Sequence, residues 1–99
     1  MTARACFSTI WNRIKANQGE EFFTKRDIPF TYRIQDGDSL RPYPKGKPTN
    51  RTLSRSMVEE AWESWPVDGP GGFPRHILGP SYLWGLFSDS RISGETDGS

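Results

Sequence analysis

The chain has 99 residues, with 13 Lys and Arg against 12 Asp and Glu, four Trp, six Phe, three Tyr and one Cys. A chain of this size buries only about two-thirds of its unfolded surface, so it holds one domain, and its rings supply the core in pieces of roughly 150–250 Å² each. A single cysteine excludes an internal disulfide and a cysteine-based zinc cage, and no apolar run approaches the length of a bilayer span.

That lone cysteine fits a reducing compartment. The N-terminus carries Arg4 but no apolar segment before a small-residue cleavage site, so a cytoplasmic protein is predicted. The balanced charge hides a polarised distribution. Residues 1–35 carry six cations and three acids, 41–56 carry five cations and no acid, and 57–68 carry four acids and no cation. The pI near 7.9 lies below the roughly pH 9 typical of dedicated nucleic-acid modules.

Phe7, Ile10, Trp11 and Ile14 recur at helical spacing and predict a helix over about 4–17. Thr2 or Ser8 would start it and Gly19 would close it, with Arg13 and Lys15 off the apolar stripe. Phe30, Tyr32 and Ile34 then alternate with Thr31, Arg33 and Gln35, the pattern of a half-buried strand that Pro29 can only begin or flank. Asp36-Gly37 is a hairpin signal, because both central positions of the favoured turn take positive φ, and a third strand would return over Ser39–Tyr43. Pro42, Pro44 and Pro48 each lack an N–H, so the basic stretch around them is expected as an extended surface loop.

A second helix follows from Leu53. Ser54 as N-cap would let Leu53 staple onto Val58, whereas Ser56 as N-cap would form a capping box with Glu59. Val58, Ala61, Trp62 and Trp65 form its inward stripe, and Pro66 stops it. Gly79-Pro80-Ser81 sets proline in the first turn of a third helix over about 80–88, which Gly85 weakens by roughly 1 kcal/mol unless close packing needs its missing side chain. Residues 93–99 form a polar, acidic tail, expected to be disordered, leaving one compact domain over 1–92. The class is therefore α+β: an N-terminal helix, a two- or three-stranded antiparallel sheet, then two helices.

Catalytic and metal sites find little support. His76 stands without a second His or Cys to share a zinc ion, and Ser81 lacks a Gly-x-Ser-x-Gly elbow. Glu59 and Glu63 share one helical face, but that face is predicted to be solvated, where nothing shifts a carboxyl. Asp36 and Asp38 are explained by turn chemistry, and Cys6 has no signature of a reactive thiol, so it reads as buried or incidental. The expectation is a non-enzymatic protein with no metal, cofactor or small-molecule substrate.

The residues richest in recognition chemistry lie in the 41–56 stretch. Phosphates are met by Lys and Arg, by hydroxyls and by free N–H groups at a helix N-terminus, and this stretch offers all three. Arg51 and Arg55 would anchor phosphates, Lys45 and Lys47 would steer, Ser54 or Ser56 would fix the helix start, and Arg41 is counted among the binding residues with them. In a winged-helix-like arrangement the first turn of the second helix would meet a groove while the loop tracks the backbone. Tyr43 is a stacking platform for an unpaired base or a ring lying flat on its own domain, and Lys25-Arg26 either extends the positive surface or is a solvated turn. Nucleic acid is the favoured partner. The alternative is a protein-interaction module, an adaptor or inhibitor of a larger machine, using rings of Trp62, Trp65, Phe73, Tyr82 and Trp84 left outside the core together with the acidic 57–68 segment.

Overall fold

The computed structural model describes residues 5–49 and 52–94. Within them the chain runs α1 (Phe7–Ala16), β1 (Phe22–Phe23), β2 (Pro29–Gln35), β3 (Ser39–Pro44), β4 (Leu53–Ser54), α2 (Arg55–Ser64), a 3₁₀ turn (Pro70–Gly72), α3 (Pro80–Ser88) and α4 (Ser90–Ser93). The α+β class holds. The sheet has four antiparallel strands in the order β1-β2-β3-β4, rather than two or three, because two-residue strands pair at either edge. Neither short strand is long enough to show a period in sequence.

Helix α1 buries Phe7, Ile10, Trp11 and Ile14 as their spacing requires, but starts later than expected, after Cys6 at the cap position. It also ends before Gly19: Asn17 is its C-cap and closes it by donating from Nδ2 to the Arg13 carbonyl at 2.8 Å. Gly19 instead gives its N–H to the Tyr32 carbonyl, and the Ile34 N–H donates to Gln18 Oε1 at 2.8 Å. Residues 18 and 19 thereby continue the sheet past β1 and cover a bare stretch of the β2 edge.

The hairpin turns where Asp36-Gly37 predicts, both residues at positive φ (55° and 74°), and its register sets Arg33 opposite Arg41 and Tyr32 opposite Pro42. Prolines 42 and 44 do not exclude β3, which corrects the expected loop. The Pro42 carbonyl accepts from Thr49 N at 3.1 Å and the Pro44 carbonyl from Lys47 N at 3.0 Å, so both residues turn their backbone polar groups away from β2. Two prolines of the same parity cost the β2–β3 ladder nothing, because their missing donors face the outer edge.

The second helix starts at the first of its two possible caps. Ser54 Oγ accepts from Met57 N at 3.2 Å, Leu53 and Val58 are both fully buried, and Ser56 Oγ sits 3.2 Å from Ser54 Oγ rather than capping for itself. The first helical N–H, that of Arg55, donates to the Asp38 carbonyl at 2.7 Å and ties the helix to the hairpin. α3 occupies its predicted span. α4 was not expected; Asp89 caps it by accepting from Arg91 N at 2.9 Å, and it extends order to Ser93. The rest of the expected tail, from residue 95, lies outside the described residues.

All helices pack on the sheet face that carries Phe22, Phe30, Tyr32, Leu40 and Leu53. Phe87 sits among Trp62, Trp65 and Phe73, edge-on to each at centroid distances of 5.1, 5.6 and 6.2 Å. Polar atoms carried inward by the rings are matched: Tyr32 OH donates to the Ile14 carbonyl at 2.7 Å, Trp11 Nε1 to Gly37, Trp62 Nε1 to Ala5 and Trp84 Nε1 to Val67. Burying an aromatic residue with such a handle is favourable only when the handle finds a partner.

Candidate nucleic-acid interface

The face of the β2–β3 hairpin turned from the helices carries Thr31, Arg33 and Gln35 on β2 and Ser39, Arg41 and Tyr43 on β3. Alternation puts them there, since Phe30, Tyr32, Leu40 and Pro42 point into the core. Because Pro42 and Pro44 face the outer edge, Arg33 and Arg41 form a hydrogen-bonded cross-strand pair, with Cα atoms about 5.5 Å apart. Two cations so placed repel. Their side chains splay: the Arg33 guanidinium lies over Gly19 at one edge, while Arg41 Nε donates to the Thr49 carbonyl at 2.9 Å at the other. Neither meets a carboxylate; among the described residues the ion pairs are His76 with Glu60 and Arg91 with Asp89. Tyr43, half-buried, lies between them and the turn that follows β3, opposite Thr31.

Lys45 and Lys47 occupy that turn, both exposed and without an ion-pair partner among the described residues; Lys45 adopts positive φ (54°) and is tied by its N–H to the Pro29 carbonyl at 3.0 Å. The structure thus brings Arg41, Lys45 and Lys47 along one strand and its exit. Arg55 leaves this group: its guanidinium carbon lies 5.1 Å from the Phe7 ring centroid, where a cation over the ring face is stabilised. Ser54 is committed to capping α2, and Ser56 is its neighbour at the helix start. Arg51 lies outside the described residues.

Arg33 does not belong to a run of cations in the sequence: it stands alone between Tyr32 and Ile34, and only the fold sets it beside Arg41. A signal existed. Folding the chain back at Gly37 sets residues equally distant from it side by side, and Arg33 and Arg41 are each four residues away.

Of the five rings considered for a protein partner, two lie inside the core and three at its margin. Trp62 and Phe73 are buried, and Trp65, Tyr82 and Trp84 pack half-buried against the core. Cys6 is exposed rather than buried, its Sγ 3.2 Å from Ser8 Oγ and 3.4 Å from Thr9 Oγ1. These hydroxyl contacts, Ser8 first, lower its pKa to about 6. Among the described residues no group of three His, Cys, Asp or Glu side chains is placed to hold a metal, and no helix is long and apolar enough to cross a membrane.

The chain matches no protein-family model, no curated protein and no solved structure.

Proposed function

We propose that this protein binds nucleic acid on the open face of its β2–β3 hairpin, with Arg33, Arg41, Lys45 and Lys47 meeting phosphates and Tyr43 stacking on an unpaired base. The observation that carries this reading is the Arg33–Arg41 pair. Like charges set opposite each other across a ladder destabilise the fold; the splay of the two side chains relieves part of that cost, and no carboxylate among the described residues is ion-paired with either to offset the remainder. A polyanion laid across the face would offset it. The half-exposed polar floor and a ring at one side suit a single strand, whose bases are free to stack and whose backbone follows the cations. A mode in which the first turn of α2 enters a groove, as in a winged helix, draws less support: α1 leads straight into strands with no second helix before the sheet, and Ser54 Oγ is already occupied.

Fluorescence anisotropy with labelled oligo-dT and a mixed-sequence duplex, across a salt series, tests the proposal. Four phosphate contacts give log K against log salt a slope of about −3 for a single strand. Arg33→Ala combined with Arg41→Ala flattens it by about 1.4. A binding curve indifferent to salt, or to the double substitution, refutes the reading.

A further inference from the structure

An open groove of about 670 Å³ lies between the β1–β2 turn on one side and the 3₁₀ turn and the start of α3 on the other. Ile28, Pro70, Pro80 and Tyr82 give it apolar walls, and Lys25 and Arg26 stand at its rim. No Asp or Glu is among the residues lining it. Lys25 Nζ donates to the Asp68 carbonyl at 2.6 Å and stands 5.8 Å from the Trp84 ring centroid. An ammonium has three donors, so Lys25 keeps two. Arg26 is exposed with no hydrogen-bond or ion-pair partner among the described residues.

Two features mark the groove as more than a gap between loops. Ile28 is 38% exposed, an aliphatic side chain held against water at the end of a turn. Thr24, only 6% exposed, also lines the groove; its Oγ1 accepts from Ile28 N at 3.2 Å, and its hydroxyl proton has no acceptor among the described residues. The hydroxyl is therefore able to donate to a ligand oxygen in the groove.

We infer that this groove binds an amphipathic organic anion. Its apolar or aromatic body lies against Ile28, Pro80 and Tyr82, and its carboxylate or phosphate sits between Lys25 and Arg26, within reach of the Thr24 hydroxyl. The volume falls in the roughly 300–1,000 Å³ range of small-molecule sites, and a few convergent polar groups on apolar walls are the usual composition of such sites. None of these residues belongs to the hairpin face, so the inference stands apart from the nucleic-acid reading.

The test uses the full chain and 8-anilinonaphthalene-1-sulfonate as a fluorescent probe, competed with 1-naphthoate, 1-naphthyl phosphate, neutral 1-naphthol and inorganic phosphate. The expected result is one saturable site, displaced by naphthoate or naphthyl phosphate but by neither naphthol nor inorganic phosphate at equal concentration. The stronger competitor identifies the head group. Arg26→Ala weakens probe binding roughly tenfold, as loss of a charged hydrogen bond implies. Ile28→Asp, at a partly exposed position that leaves the fold intact, abolishes binding. Arg33→Ala with Arg41→Ala leaves the probe unaffected, which separates failure here from failure on the hairpin face. No saturable binding, or binding indifferent to Arg26→Ala and Ile28→Asp, overturns the inference.

Discussion

Gly85 in α3 lies directly against the backbone of Phe23 in β1. A Cβ at Gly85 would come 3.1 Å from the Phe23 carbonyl carbon, closer still to its oxygen, and 3.0 Å from the Phe30 ring. Glycine in a helix interior ordinarily costs about 1 kcal/mol relative to alanine, so Gly85→Ala would stabilise an isolated α3. Here backbone cannot give way, and overpacking dominates. Gly85→Ala is expected to lower the unfolding free energy by about 1–3 kcal/mol in a urea titration, with an unchanged m-value. A variant as stable as the parent would show that α3 moves freely away from the sheet.

The same close approach shows why some of the fold was legible in the sequence and some was not. α1, β2, α2 and α3 announce themselves because each has an apolar period long enough to repeat, or a proline or cap that fixes its end. β1 and β4 have two residues each, and only the partners waiting on β2 and β3 make them strands. α4 has four residues and rests on Asp89, a local hydrogen bond rather than a pattern. The prolines of β3 argue against a strand when each is counted singly, yet they are harmless at equal parity on an outer edge. The proposed site is legible only in part from the sequence for a related reason. Lys45 and Lys47 stand in an obvious basic run, but Arg33 meets Arg41 only through the hairpin register, and Arg55 lies against the ring of Phe7, 48 residues earlier.

Arg33→Thr separates a binding role from a structural one. Thr at this position removes the cross-strand repulsion with Arg41 and suits a strand, so stability should rise by about 0.2–1 kcal/mol. Oligonucleotide affinity should fall in the same variant. Denaturant titration and anisotropy on one protein sample read both quantities. If stability and affinity fall together, Arg33 supports the sheet rather than a ligand.

Asp89 makes the C-terminal anchor sensitive to acid. Its carboxylate accepts from Arg91 N and Nε at 2.9 and 3.0 Å, and Arg91 in turn donates to the Glu21 carbonyl at 2.7 Å and lies 3.9 Å from the Phe22 ring centroid. The Arg91 hydrogen bonds, the largest cause, hold the Asp89 carboxyl below its usual range. A folded value below the unfolded one means that the carboxylate's contribution is complete above the unfolded value, near 4, and is lost as pH falls through the folded one. The Tm gap between the parent and Asp89→Asn should therefore be widest near neutrality and close below about pH 4, followed by circular dichroism. A gap independent of pH would mean that the Asp89 charge contributes nothing.

Cys6 sets a second pH-dependent behaviour, in reactivity rather than stability. Its sulfur is exposed at the cap position of α1 and contacted by the Ser8 and Thr9 hydroxyls, which stabilise the thiolate and lower its pKa to about 6. At pH 7 the thiolate then outnumbers the thiol by about ten to one, whereas an ordinary cysteine is mostly protonated. Alkylation by iodoacetamide, followed by mass spectrometry from pH 4.5 to 9, should reach half its plateau rate near pH 6 in the folded protein. In urea the midpoint should return to its ordinary value of about 8.5. Ser8→Ala removes the leading cause and shifts the folded midpoint upward, while Thr9→Ala shifts it less because its contact is the second cause. A midpoint above 8 in the folded parent would mean that the hydroxyls do not hold the sulfur in solution.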